Sequence, residues 1–372
     1  MKRKKLQVKL GRPKVSHIFK LVMLITTLLT IACSDQISSN QANNLSQRNS
    51  EASSSPKQCQ SIQHALGETQ VCGQPTKIVA LGPNMLEILL ALEVQPVGYA
   101  DYFSLPYQKF DQPDQQILYL GEQVTSQPSN VGTSGDPSLE AIAKLKPDLI
   151  LGGVEANNDE YALLSQIAPT LLFTYGVDNE WEQQIQVIAK ALGRSEQAER
   201  VIVSHTERLA QTREALKPVA KTYPRLLLLL SERLEQNLRI DPYNYSTHCS
   251  ALLEDLGFQL VFPPNSKRQK SIGGNVSLET LPQLEADLII VQAFNRDSSN
   301  SGEDLVNHQL NQVKQQWNNN AIAQSLEASK ADRVYFTSAY LCRAVPGPIG
   351  TEIFLNQLRQ QLLSSNAKTG EL

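Results

Sequence analysis

The chain has 372 residues, 41% of them hydrophobic and 19% charged, with a formal net charge of −3. Eight Lys and Arg fall within the first 20 positions and no carboxylate precedes Asp35, so setting that leader aside takes the net charge from −3 to −11. This composition excludes collagen-like, coiled-coil and multi-span membrane chains, and so acidic a body opposes non-specific binding to a phosphate backbone.

Behind the basic stretch, Leu21 to Ala32 is an uncharged, largely apolar run of 12 residues that stops at Cys33. A membrane span takes ~20 apolar residues, so this run reads as the core of an export signal. Ala32 followed by Cys33 resembles the lipobox of bacterial lipoproteins, with Thr30 where that pattern prefers Leu. The resemblance implies loss of residues 1–32 and a lipid on Cys33; the alternative is an ordinary cleaved signal in which Cys33 is incidental. Residues 34–55 then hold 15 Ser, Asn or Gln out of 22. Such a segment cannot bury enough apolar area to offset chain entropy, so 33–57 is expected to be a flexible tether.

Export to an oxidising compartment gives the four remaining cysteines a reason to pair. Cys59 and Cys72 bracket a Gly-containing turn and are expected to close a hairpin as a disulfide. Cys249 with Cys342 is a weaker candidate, because 93 positions separate them. No zinc-ribbon spacing and no Cys-x-x-Cys occurs.

From Lys77 the pattern alternates between strand and helix. Strands are expected at 77–81, 94–99, 149–152 and 170–174, with a helix at 85–92, in the order of a parallel sheet covered on both faces. Ser195 to Leu216 reads as one helix, ~30 Å long at 1.5 Å per residue. Strands resume at 225–230, 259–262, 286–291 and 333–336. The expected organisation is therefore a first α/β lobe over 58–194, a connecting helix over 195–217 and a second α/β lobe over 218–372. A stiff helical connector predicts small lobe motion.

An internal repeat supports two matched lobes. Pro137-Ser-Leu-Glu-Ala-Ile-Ala-Lys-Leu-Lys-Pro-Asp-Leu-Ile-Leu151 aligns with Val276-Ser-Leu-Glu-Thr-Leu-Pro-Gln-Leu-Glu-Ala-Asp-Leu-Ile-Ile290, with nine of 15 positions identical or closely similar. Each copy predicts a Ser-headed helix with an acid in its first turn, leading into a buried strand.

These paired Ser-Leu-Glu segments, together with Lys77 to Leu92, Leu252-Leu-Glu-Asp-Leu-Gly-Phe258 and Arg333-Val-Tyr-Phe336, resemble the iron-siderophore substrate-binding proteins of bacterial ABC importers. That group includes ferrichrome-, ferric-citrate- and vitamin B12-binding proteins. The resemblance covers about residues 59–363 and implies two Rossmann-like α/β lobes joined by one long helix, with ligand in the shallow cleft between them. It implies an extracytoplasmic, lipid-anchored monomer without cofactor or catalysis, whose partners are a ferric siderophore, the membrane and an ABC permease with its ATPase. Cobalamin, haem or a bare zinc or manganese ion are alternative cargoes. It also implies that Glu140 and Glu279 dock on permease arginines; as first-turn acids they would stabilise their own helices in any case.

An anionic chelate calls for aromatic walls and arginines at the carboxyl ends of the strands. Tyr99, Tyr102, Arg233, Arg296, Tyr340 and Arg343 are the candidates, with Tyr175, Arg239, Tyr243 and Tyr245 behind them. One departure stands out: hydroxamate-binding members carry an Arg shortly before the first Leu-Glu, where this chain has Thr133-Ser-Gly-Asp136. The polar stretch 295–319 reads as an insertion beside the cleft. His64, His205, His248 and His308 show no paired ligand spacing, and no Gly-x-Ser-x-Gly elbow, phosphate loop or dinucleotide turn occurs.

Overall fold

The computed structural model describes residues 58–174, 180–234, 238–240, 248–263, 275–294 and 302–369, all within one compact unit, Ser54–Leu372. The leader, Cys33, the tether, Tyr175, Tyr243, Tyr245 and Arg296 lie outside the described residues.

β1 (Cys59–His64) and β2 (Gly67–Cys72) form an antiparallel hairpin whose register sets Cys59 opposite Cys72. A disulfide joins the two cysteines. Gly67 leaves the tight turn at φ 122°, a conformation that side-chain-bearing residues rarely adopt.

The first lobe is built on β3 (Ile78–Leu81), β4 (Gly98–Asp101), β5 (Ser129–Thr133), β6 (Asp136–Pro137), β7 (Leu149–Gly153) and β8 (Thr170–Phe173). These lie in the order β6-β5-β4-β3-β7-β8, and all pairings but β5 with β6 are parallel. Helix α1 (Pro83–Ala91) follows β3, α2 (Leu139–Leu145) leads into β7, and α3 (Glu180–Leu192) follows β8. Helix α4 (Ser195–Thr222) then runs for 28 residues, ~42 Å at 1.5 Å per residue. It is longer than the sequence suggested, because burial of Leu216, Val219 and Ala220 carries it through Pro218.

The second lobe contains β9 (Arg225–Ser231), β10 (Leu238–Ile240), α5 (His248–Asp255), β11 (Gln259–Leu260), β12 (Leu288–Ala293), α6 (Gly302–Asn319), β13 (Val334–Ser338), α7 (Ala339–Arg343) and α8 (Pro348–Thr369). Among the described residues its sheet runs β10-β9-β12-β13, with β11 against the start of β9. The predicted insertion is in part α6, a helix whose Val313 and Trp317 belong to the second lobe's core. Its polar composition misled because only a narrow stripe of the helix is apolar.

Strand residues alternate between two cores. Val79, Leu81 and Ile150 face an outer cluster of the first lobe, and Leu227, Leu229, Ile289 and Val291 face an outer cluster of the second. Their neighbours Ile78, Ala80, Leu149 and Leu151 share a single apolar cluster with Leu226, Leu228 and Ile290 from the other lobe. Period-2 alternation thus places the inner faces of both sheets in one continuous core.

The sequence repeat extends to the backbone. Lys146 and Glu285 occupy equivalent places, and both adopt left-handed conformations, at φ 48° and 46°. Asp148 accepts hydrogen bonds from the Thr76 and Lys77 amides at 3.0 Å, and Asp287 accepts from the Arg225 amide at 2.9 Å. Each carboxylate thereby clamps the entry to the first strand of its own lobe. The copies differ in their helices: α2 is α-helical and capped by Ser138, whose hydroxyl accepts from the Ala141 amide at 3.2 Å. Leu278–Leu284 is instead a 3-10 helix containing Pro282 and lacking a side-chain cap, since proline cannot donate to the α-helical ladder.

Candidate functional site

Asp101 at the carboxyl end of β4 and Tyr340, two residues past the end of β13, meet across the seam between the lobes. β4 ends on Asp101, whose side chain is 3% exposed. The Tyr99 and Tyr340 hydroxyls both donate to its Oδ2, the latter at 3.0 Å and from the opposite lobe. The Phe103 amide donates to Oδ1 at 3.2 Å. Burial raises the Asp101 pKa, while these donors pull it back down. Burial also drives the Tyr99 and Tyr340 phenols well above their ordinary range, so both are neutral donors at physiological pH.

Aromatic rings wall this point. Phe103 stacks on Tyr340 with centroids 6.1 Å apart and planes 19° apart, and Tyr119 lies tilted at the same distance. Tyr99 packs against Phe110 at 5.3 Å. The structure therefore places the candidate residues at two depths. Tyr99 and Tyr340 are buried, whereas Tyr102 is 38% exposed and lies near the carboxylates of Asp101 and Glu155. Arg343 is exposed at the end of α7, and Arg233 is exposed just beyond β9. Arg239 is exposed on β10.

Asp101, Phe103 and Tyr119 were not among the sequence candidates. A signal for Asp101 existed: in Tyr99-Ala-Asp101 the i, i+2 spacing sets phenol and carboxylate on one face of a strand. Phe103 and Tyr119 lie in the long connection between β4 and β5, whose path no periodicity discloses.

A second buried carboxylate crosses the lobes. Glu87 on α1 is fully buried and accepts 2.7 Å hydrogen bonds from the Gly347 and Gly350 amides at the start of α8. Burial raises its pKa to about 7 against the opposing pull of the backbone donors. A Cβ on Gly347 would lie 2.8 Å from this carboxyl group, so any side chain there would push Glu87 off its hydrogen bonds. In the second lobe, a disulfide joins Cys249 on α5 to Cys342 on α7. The Gln292 amide donates to Cys342 Sγ at 3.2 Å.

Glu140 and Glu279 are exposed at equivalent places in the two copies of the repeat. The Lys144 ammonium, 2.7 Å from Glu140, lowers the pKa of that carboxyl. Glu279 is lowered by its own backbone amide and the Ser277 hydroxyl. Among the described residues no group of three or more His, Cys, Asp or Glu is placed to hold a metal ion, and no helix is long and apolar enough to cross a membrane.

Two largely parallel sheets, one long helix and strand carboxyl ends that meet between the lobes are the architecture of bilobal binding proteins with a helical backbone. A sequence profile described as periplasmic binding protein matches residues 78–341, and the chain belongs to that family. It is 28% identical over 331 residues to the probable siderophore-binding lipoprotein YfiY of Bacillus subtilis, covering 87% of this chain and 92% of that protein. It is 26% identical over 319 residues to the Fe(3+)-citrate-binding protein YfmC of the same organism, covering 84% and 86%. The fold also matches Staphylococcus aureus SirA, solved in complex with staphyloferrin B, with a TM-score of 0.62, 24% identity and coverage of 82% and 98%.

Proposed function

We propose that this chain is the lipid-anchored, extracytoplasmic substrate-binding component of an ABC importer, capturing a ferric siderophore in the cleft and delivering it to the permease and its ATPase. The observation that carries the reading is the seam itself: Asp101 at the end of β4 and Tyr340 just past β13 meet across the lobes beside Phe103 and Tyr119, and the exposed Tyr102, Arg233 and Arg343 are proposed to line the same cleft. Aromatic faces suit the organic scaffold, and guanidinium groups suit carboxylate or catecholate oxygens. Relatives named for siderophore and ferric-citrate binding along most of their length support the same cargo. The protein works as a monomer without cofactor or turnover, and Arg296 completes the cation set.

Titration with ferric citrate, a ferric tris-catecholate, a ferric hydroxamate and cobalamin, followed by quenching of Trp181, Trp317 and tyrosine fluorescence, tests this directly. Binding of one iron chelate at micromolar or lower concentration is expected. Failure of every iron chelate to bind would remove the assignment.

Glu140 and Glu279 act as a two-point grip on permease arginines. Replacing both with Ala is expected to abolish uptake in cells while leaving affinity for the chelate unchanged; intact uptake would exclude the grip. Cys33 carries the anchor, so Cys33→Ser should shift the protein from the membrane fraction to the soluble extracytoplasmic fraction.

A further inference from the structure

Residues Ser338–Gly347 concentrate connections that the ligand reading alone does not explain. The Ser338 hydroxyl accepts from the Tyr340 amide at 3.2 Å and starts α7. Tyr340 reaches Asp101 in the other lobe, Cys342 is bonded to Cys249, Arg343 is exposed at the end of α7, and Gly347 donates to Glu87. Yet α7 is only five residues long. A helix that short has no stability of its own and takes its orientation from whatever holds it.

We infer that the Cys249–Cys342 disulfide is a positioning device for the cleft, setting the rotation of α7 and hence the placement of Tyr340 and Arg343. The inference rests on the ligand reading above. Tyr340 and Arg343 are three residues apart and share a face of the helix. Each residue advances the helix by about 100°, so a slip of one position would swing the Tyr340 hydroxyl off Asp101 and turn Arg343 to a different side of the helix. Cys342 follows Tyr340 by two residues and is pinned on the other side of the helix, to the N-terminal turn of α5 and to Gln292 of β12. Covalent linkage on one face and a phenol-to-carboxylate hydrogen bond on the other together define the rotation. Both cysteines are buried, Cys249 at 0% and Cys342 at 2% exposure. Reductant therefore has no access to the folded protein, and the role of the bond is geometric, not redox sensing.

The test compares three proteins: the native chain, Cys249→Ala/Cys342→Ser and Cys59→Ser/Cys72→Ser. The last removes the other disulfide, on the β1–β2 hairpin away from the cleft, and controls for general loss of stability. Binding is measured for ferric citrate, a ferric tris-catecholate and a ferric hydroxamate, well below each protein's melting temperature. In parallel, 13C-labelled tyrosine rings are followed by NMR without ligand, Tyr340 being assigned through Tyr340→Phe and Tyr161 serving as a remote reference. Loss of pre-organisation of two side chains is expected to weaken the retained chelate roughly tenfold in the Cys249/Cys342 variant. The hairpin variant should bind as the native chain does. The Tyr340 resonance should shift or broaden in the first variant only, with Tyr161 unmoved in that variant. Tyr340→Phe should weaken binding in the native background and have little further effect once Cys249 and Cys342 are replaced. Unchanged affinity together with an unmoved Tyr340 resonance would overturn the inference and leave the ligand reading standing. If the native chain retained none of the chelates, the ligand reading would fall, and the tyrosine spectrum would decide the positioning role on its own.

Discussion

Glu87→Ala is expected to destabilise the protein by about 2–6 kcal/mol, because it strands the Gly347 and Gly350 amides in a dry seam and each buried unsatisfied donor costs ~1–3 kcal/mol. Denaturant unfolding at neutral pH measures this directly. Glu87→Gln keeps one acceptor but turns an NH2 toward the other amide, so it should recover only part of the loss. The pH dependence separates the charge from the hydrogen bonds. The carboxyl moves from an ordinary 4.5 to about 7 in the folded state. An acid whose folded pKa is raised contributes stability that is fully present below about 4.5 and is lost as pH rises to about 7 and beyond. The shift corresponds to roughly 3 kcal/mol. The native chain should therefore lose more stability than Glu87→Gln between pH 4.5 and 8. Parallel profiles for the two proteins would show that the carboxyl does not titrate in this window.

Asp101→Ala is expected to produce the second large effect, this time on both stability and ligand capture. It removes one acceptor from three donors, the phenols of Tyr99 and Tyr340 and the Phe103 amide. Hydrogen bonds to a charged group contribute ~1.5–3 kcal/mol each, so a loss of about 3–6 kcal/mol is expected after partial relaxation. Tyr340→Phe removes only the bond that crosses the lobes, and Tyr99→Phe only the one within the first lobe. Chelate affinity should fall with Asp101→Ala and Tyr340→Phe but change little with Tyr99→Phe, which isothermal titration can resolve. Equal effects of the two tyrosine substitutions would mean that the inter-lobe bond has no special part in shaping the cleft.

The sequence was most legible where a physical rule had few alternatives. Doubly buried strands such as Ile78–Leu81 and Leu226–Leu230 declare themselves as apolar runs, and the Ser-Leu-Glu repeat pointed to two related segments, each with an acid in its first turn, though only the first is capped by its Ser. Pro282 broke that symmetry, and its presence was visible; whether the chain would stop or tighten into a 3-10 helix depended on packing of Leu278, Leu281 and Leu284. Contacts across the seam were not legible at all. Asp101 meets Tyr340 over 239 positions, and Glu87 meets Gly347 over 260. No local pattern encodes such partners. The sequence did contain one clue, a lone Glu within the apolar run Met85-Leu-Glu-Ile-Leu-Leu, since a charge there must either face water or find donors indoors.

The shared inner core has a consequence for how such a receptor can signal. Ile78 and Leu149 of one lobe and Leu226 and Ile290 of the other belong to one buried apolar cluster that continues through α1, α4 and α8. A wide swing of one lobe against the other would expose part of that cluster to water, which opposes large lobe motion. On the proposed reading, occupancy would then be announced to the permease by something slighter, the setting of side chains along the cleft and the spacing of Glu140 and Glu279, on a frame held by that shared core.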